Sequence, residues 1–264
     1  MAISNVTNEY SIPRGRVYFD RFDSAGNKTG ERQLGNAPSF TLEIASEKAE
    51  HYSSETGLRQ RDASIVLQVD RTATLTIDNM SLENVAMFFA GDLSTVNQAA
   101  AENIVENFEV KVGHIYQLGA ATNPSGVRAV ANVVVTDGAA GTPVTMTLGD
   151  DYELDAAMGR IKVVAGGLLS DGDSIEVTYD TTAVTSQRAA TGATTEISGA
   201  FRCISDNASG VNRDFYMPSV TLSPNGSIPI IADGTDFTTM EFTLDVLKPT
   251  DAEALYIDGR PEAI

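Results

Sequence analysis

A period of two runs through most of this chain. In Thr72–Asp78 the residues Ala73, Leu75 and Ile77 alternate with Thr72, Thr74 and Thr76. In Phe237–Val246 the residues Met240, Phe242, Leu244 and Val246 alternate with Thr239, Glu241, Thr243 and Asp245. Successive side chains of a strand point to opposite faces, so this alternation specifies half-buried antiparallel strands. Similar patterns recur at Val17–Phe22, Ser39–Ser46, Ser64–Asp70, Ile197–Ile204, Val211–Met217 and Val220–Leu222, with Ser227–Ile231 expected across the Asn225-Gly226 turn. One helix interrupts them. Ser81 is placed to cap it, Leu82, Val85, Ala86 and Phe89 recur at helical spacing, and Gly91 is placed to close it. The predicted class is all-β with one short helix, and 264 residues suffice to bury a core without staples.

Two stretches break the rhythm. Residues 46–62, SEKAEHYSSETGLRQRD, are polar and without alternation, which predicts a long loop between two good strands. Residues 119–190 are rich in Gly, Ala, Thr and Asp, with strand candidates near Val127–Thr136, Val144–Leu148, Tyr152–Leu154, Arg160–Val164 and Ser174–Tyr179. They predict a small β domain, 119–190, inserted between a first part, 1–118, and a second part with an acidic tail, 191–264. Thr181–Thr195 is the expected return linker, and pairing of Tyr152–Tyr179 into the main sheets is the alternative.

The chain has 36 acidic and 18 basic side chains, a net charge of −18, which repels the phosphates of DNA and argues against gripping it. The charge is uneven, because residues 1–60 hold 8 acids and 7 bases and the acidity lies beyond them. Cys203 is the lone cysteine, so no intrachain disulfide or thiolate cluster can form, and a small buried hydrophobe is its expected role. No apolar run reaches the roughly 18 residues of a membrane span, and MAISNVTNEYSIPRG has no basic region followed by an apolar block, so a soluble product made in a cytoplasm is expected.

Catalytic signatures are missing. There is no Gly-x-Ser-x-Gly elbow, Walker loop or strand-linked Gly-x-Gly-x-x-Gly, and only His51 and His114 could serve as imidazole bases; both read as surface histidines. Asp150, Asp151, Glu153 and Asp155 begin like a calcium loop but lack the sixth-position glycine, and Lys162 stands where the twelfth-position carboxylate belongs. Charged positions on an edge strand explain them better. No enzyme, cofactor or metal is expected.

The order of SFTLEIASEKAEHYSSETG, ASIVLQVDRTATLTIDN, SLENVAMFFAGD, EVKVGHIYQLG and DFYMPSVTLSPNGSIPIIADGTDFTTMEFTLDVLKP resembles the major tail tube proteins of long-tailed bacteriophages, over roughly residues 10–118 and 195–250. The resemblance implies a β-sandwich with a flanking helix, six copies of which close into a ring around a continuous β-barrel lumen. Rings would stack into a virion tail tube, assembled in the host cytoplasm, with tape-measure, terminator and tip proteins as partners. DNA would transit the lumen without specific binding, and no membrane is involved. Loop 46–62 becomes an inter-ring stacking element, carried by Glu47, Lys48, Glu50, His51, Tyr52, Glu55, Arg59 and Arg61. Residues 119–190 correspond to an outer decoration, which would crowd a close-fitting sheath and so favours a sheathless tail over a contractile one.

The strand faces opposite the large apolar residues offer Thr41, Glu43, Gln68, Asp70, Thr72, Thr74, Thr76, Thr239, Glu241 and Thr243 as lumen-facing candidates, against a plain solvent-facing role. None presents a cation to DNA phosphates. The alternative function is a carbohydrate-binding or other surface-binding β-sandwich module. That would need exposed aromatic platforms, whereas the chain has no Trp and most of its Phe residues fall at core positions.

Overall fold

The computed structural model describes residues 9–55, 57–139, 141–192 and 196–259. The start of the N-terminal segment, Thr56 in the expected loop, the end of the expected linker and the end of the tail lie outside the described residues. In chain order the elements are β1 (Gly15–Arg21), β2 (Arg32–Gln33), β3 (Ser39–Ser53), β4 (Gln60–Ile77), α1 (Leu82–Phe88), β5 (Asp92–Gln98), β6 (Ala101–Glu109), β7 (Ile115–Gln117) and β8 (Val130–Thr136). There follow β9 (Tyr152–Asp155), β10 (Arg160–Val163), β11 (Ser174–Thr181), β12 (Val184–Ala190), β13 (Ile197–Ser205), β14 (Arg213–Asn225), β15 (Met240–Val246) and β16 (Tyr256–Gly259). The described residues are mostly β with one helix, as the alternation predicts, and no helix among them is long and apolar enough to cross a membrane.

The chain forms two units, residues 1–93 with 189–264 and residues 94–188. Unit 1 holds one sheet in the order β2-β1-β13-β14-β15-β4-β3, with β16 added beside β14. Strand β14 changes partners along its length: Phe215–Leu222 pairs with β13, while Val220–Asn225 pairs with β15. That switch lets the sheet fold over on itself, so Phe40 of β3 meets Phe201 of β13 with ring centroids 4.9 Å apart, though three strands separate them in the sheet. Between the two halves lie the fully buried Leu75, Ile77, Phe201, Met217, Leu222 and Phe242, of which alternation assigns Leu75, Ile77 and Phe242 to an apolar face. Gly199 stands at a bulge in β13, where an added Cβ would lie 2.5 Å from the Phe19 ring.

Helix α1 covers this core with a different face from the expected one. Ser81 caps it, accepting from Asn84 N at 3.3 Å, but Asn84, Ala86, Met87 and Phe88 are buried while Leu82 and Phe89 are exposed. The reason is Asn84, whose side chain donates to the Leu34 and Asn79 carbonyls at 2.8 and 2.9 Å and rotates the helix toward them. Ala90 takes the left-handed closing position at φ 48°, and Gly91 N–H bonds back to the Ala86 carbonyl at 2.7 Å.

Unit 2 contains the three-stranded sheets β7-β10-β9 and β6-β11-β8 around its own core of Val135, Ile161, Ile175, Val177 and Tyr179, among others. It starts at Ser94 and not at residue 119, because β6 pairs with β11 and β7 with β10. Tyr152–Tyr179 therefore pairs within this unit, and its three strand candidates are present as β9, β10 and β11. Val144–Leu148 makes only isolated bridges. The chain leaves unit 1 through β5 and returns through β12, which pair as a two-stranded ribbon, so much of the expected linker is strand.

Candidate functional site

The expected loop at 46–62 is a correction: both flanking strands run through it. β3 and β4 stay paired from Ser39↔Thr76 to Ser53↔Gln60, with bulges between Glu47/Lys48 and His51/Tyr52. β15 accompanies β4 only over Thr72–Ile77, so beyond Arg71 the two strands pair with each other alone. At about 3.3 Å per residue this two-stranded arm extends roughly 35 Å. With nothing on either face there is no inside and outside to impose alternation, which is why residues 46–62 read as a loop although Ser64–Asp70 reads as a strand.

Glu47, Lys48, Glu50, His51 and Tyr52 lie on β3 in the arm, Glu55 in its turn, Arg59 just before β4 and Arg61 on β4. They form local polar links. The Tyr52 hydroxyl donates to Glu50 Oε2 at 2.8 Å, Arg61 pairs with Glu50, and the Arg59 guanidinium lies 5.5 Å from the Tyr52 ring centre. Those bonds hold the Glu50 carboxyl below its ordinary range, the Tyr52 bond contributing most, and push the Tyr52 hydroxyl up. His51 Nδ1 stands 2.6 Å from Asp62 Oδ1.

Beside them stand apolar residues that no side chain covers. Ile65 and Leu67 are each 65% exposed, and Ile44, Val66 and Val69 are exposed as well. The bulge at Leu67 places Val66, opposite Lys48, on the face of Val69 and puts Ile65 on the other, so the expected single apolar face of Ile65, Leu67 and Val69 is split. A two-stranded ribbon in water is marginal without cover, and this one carries aliphatic side chains on both faces.

At the root of the arm the sheet turns a polar face away from the core. In register across β3, β4 and β15 stand the rows Thr41–Thr74–Thr243, Glu43–Thr72–Asp245 and Thr76–Glu241, with Gln68 and Asp70 farther along the same face. The candidates chosen from alternation thus share one face, except Thr239, which lies outside β15. Strand β14 extends the face with Thr221, Ser223 and Asn225, positions that its weaker alternation left unnoticed. No lysine or arginine occupies these positions, while Glu43, Asp70, Glu241 and Asp245 supply carboxylates.

Elsewhere the candidates have structural work. Asp151 is buried and accepts from Thr147 N and Leu168 N at 2.7 Å each, which holds its carboxyl low; it organises a turn and is not a charged edge position. Glu153 pairs with Lys162 at 3.0 Å, and Asp155 accepts from Met158 N at 3.0 Å. His114 is exposed, and half-buried Cys203 has its thiol pushed up chiefly by burial. Expected strand Ser227–Ile231 is instead part of an irregular connection, 226–239, between β14 and β15.

No curated protein matches this sequence. A family model spans residues 10–254, nearly all of both units, and the chain belongs to that family, described as "Protein of unknown function UCP028589".

Proposed function

We propose that this protein is a structural subunit of a phage tail tube, assembling as hexameric rings that stack into the conduit for viral DNA. In this reading unit 1 is the β-sandwich tube domain and unit 2 the added domain. The observation that carries it is the arm: a long two-stranded ribbon with exposed aliphatics on both faces is stable and soluble only if another molecule covers it. The resemblance in residues 10–118 and 195–250 supplies the identity of that molecule, an adjacent copy. The polar face at the arm's root supports the conduit, since hydroxyls and carboxylates without a cation give DNA phosphates nothing to bind.

A carbohydrate-binding module is less well supported. Tyr216, on the outer side of the other half of the sheet, carries the Arg202 guanidinium 4.2 Å from its ring centre and Lys28 at 5.5 Å, so its face is already occupied. Electron microscopy of the concentrated protein, with and without tape-measure protein, tests the proposal. Rings or tubes of uniform width are expected; a strictly monomeric protein under both conditions would refute it.

A further inference from the structure

Unit 1 is unfinished in two places besides the arm. The first is a cleft of about 740 Å³ where the folded sheet stays open between its edge strand β3 and strands β1 and β13. Val17, Cys203 and Phe215, in register across three strands, form its floor, and Phe40 and Leu42 form a wall. Among the described residues its single charged lining residue is Arg14, whose guanidinium donates to the neighbouring Pro13 carbonyl. A cleft of this size has room for a few large side chains.

The second is the connection 226–239. Ile228 anchors it to the core, but Ile230 is 79% exposed, Ile231 94% and Phe237 93%, with Asp233 and Asp236 between them. The two most exposed large apolar side chains among the described residues, Ile231 and Phe237, therefore sit on one acidic loop. In the same subunit the loop stands in solvent and the cleft stands open, so the two do not meet within one copy.

We propose that Ile231 and Phe237 of one copy insert into the Phe40–Phe215 cleft of a second copy, with Asp233 or Asp236 reaching Arg14. Apolar surface matches apolar surface, and two carboxylates match the one cation at the receiving site. An anionic membrane or nucleic acid would be repelled by the same aspartates. The contact uses different patches on its two partners, so it is head-to-tail and repeats around a ring or along a filament. This deepens the tube reading and rests on it.

The lone cysteine provides the test. Phe237→Cys and Ile231→Cys are made separately in the full chain, assembled, oxidised, and run on non-reducing gels. Oxidation joins the introduced thiol to Cys203 of the next copy, releasing two protons and two electrons to an added oxidant such as copper–phenanthroline. A ladder of multimers is expected from at least one variant, because each copy then carries both a donor and an acceptor thiol. Adding Cys203→Ser should remove it. Rings or tubes with no ladder from either variant, or a ladder that survives Cys203→Ser, overturn this contact and leave the tube reading standing. No assembly by the unaltered chain overturns both. As a second measurement, Arg14→Glu should weaken association, and joining it to Asp233→Lys and Asp236→Lys should restore it; equal weakening in both variants counts against the contact.

Discussion

The root and the far half of the β3–β4 hairpin are the same two strands in one continuous ladder, yet they obey different rules. At the root, Phe40, Leu42, Ala73 and Leu75 face the core and Thr41, Thr72 and Thr74 face away, because the rest of the sheet lies on one side only. Past Arg71 both faces meet solvent, and aliphatic, charged and hydroxyl residues mix on each. Pairing alone makes a strand; an asymmetric environment makes it alternate. A segment that keeps its apolar residues without that environment is built for one that a partner supplies.

The largest effects should separate the two halves. Leu75→Ala, at a fully buried root position, is expected to cost about 2–5 kcal/mol in urea unfolding. Leu67→Ala in the arm should change unfolding by no more than about 0.5 kcal/mol while impairing assembly, measured by sedimentation. Equal losses of stability would erase the distinction.

Charge sharpens the comparison next. Replacing Glu43, Asp70 and Glu241 by lysine should leave tube formation intact and slow DNA release from particles, more at low salt than at high. Release at the unaltered rate would remove the electrostatic part of the conduit proposal.

A smaller effect is expected with pH. The Glu50 carboxyl is held below its ordinary 4.5, so the Tyr52–Glu50–Arg61 cluster supports the arm above that pH and loses its contribution as pH falls from 4.5 through the lower folded value. The Tyr52 ring resonances should shift there while those of buried Phe242 at the root stay fixed. Smallest and local, Ala90→Gly should stabilise unit 1 by about 1 kcal/mol, since alanine at φ 48° bears a penalty that glycine does not.

The same contrast explains what could be read from the amino acids. Strands with one buried face, such as β4 near Leu75 and β15, were legible residue by residue, and so was the polar face they carry. Only part of the arm is legible: Ser64–Asp70 reads as a strand and is one, whereas residues 46–62 do not, because without a buried side they carry no regular alternation. The cap of helix α1 is legible but its buried face is not, since a buried Asn84 follows hydrogen-bonding chances in the fold and not hydropathy. Unit 2 is legible by its texture but its start is not, because β6 reads as a strand just as those of unit 1 do and only its partner differs. The cleft and the loop at 226–239 depend on surfaces left uncovered, a property no local pattern records.

Hydrogen exchange on the dilute and the assembled protein tests the central claim most directly. Amides of Ile44–Ser53 and Gln60–Asp70 should exchange quickly in the dilute subunit and become protected on assembly, while those of Ala73–Ile77 are slow in both. An arm that is as protected as its root in the dilute, unassembled protein, or that stays unprotected in assembled tubes, would contradict the claim that a second copy covers it.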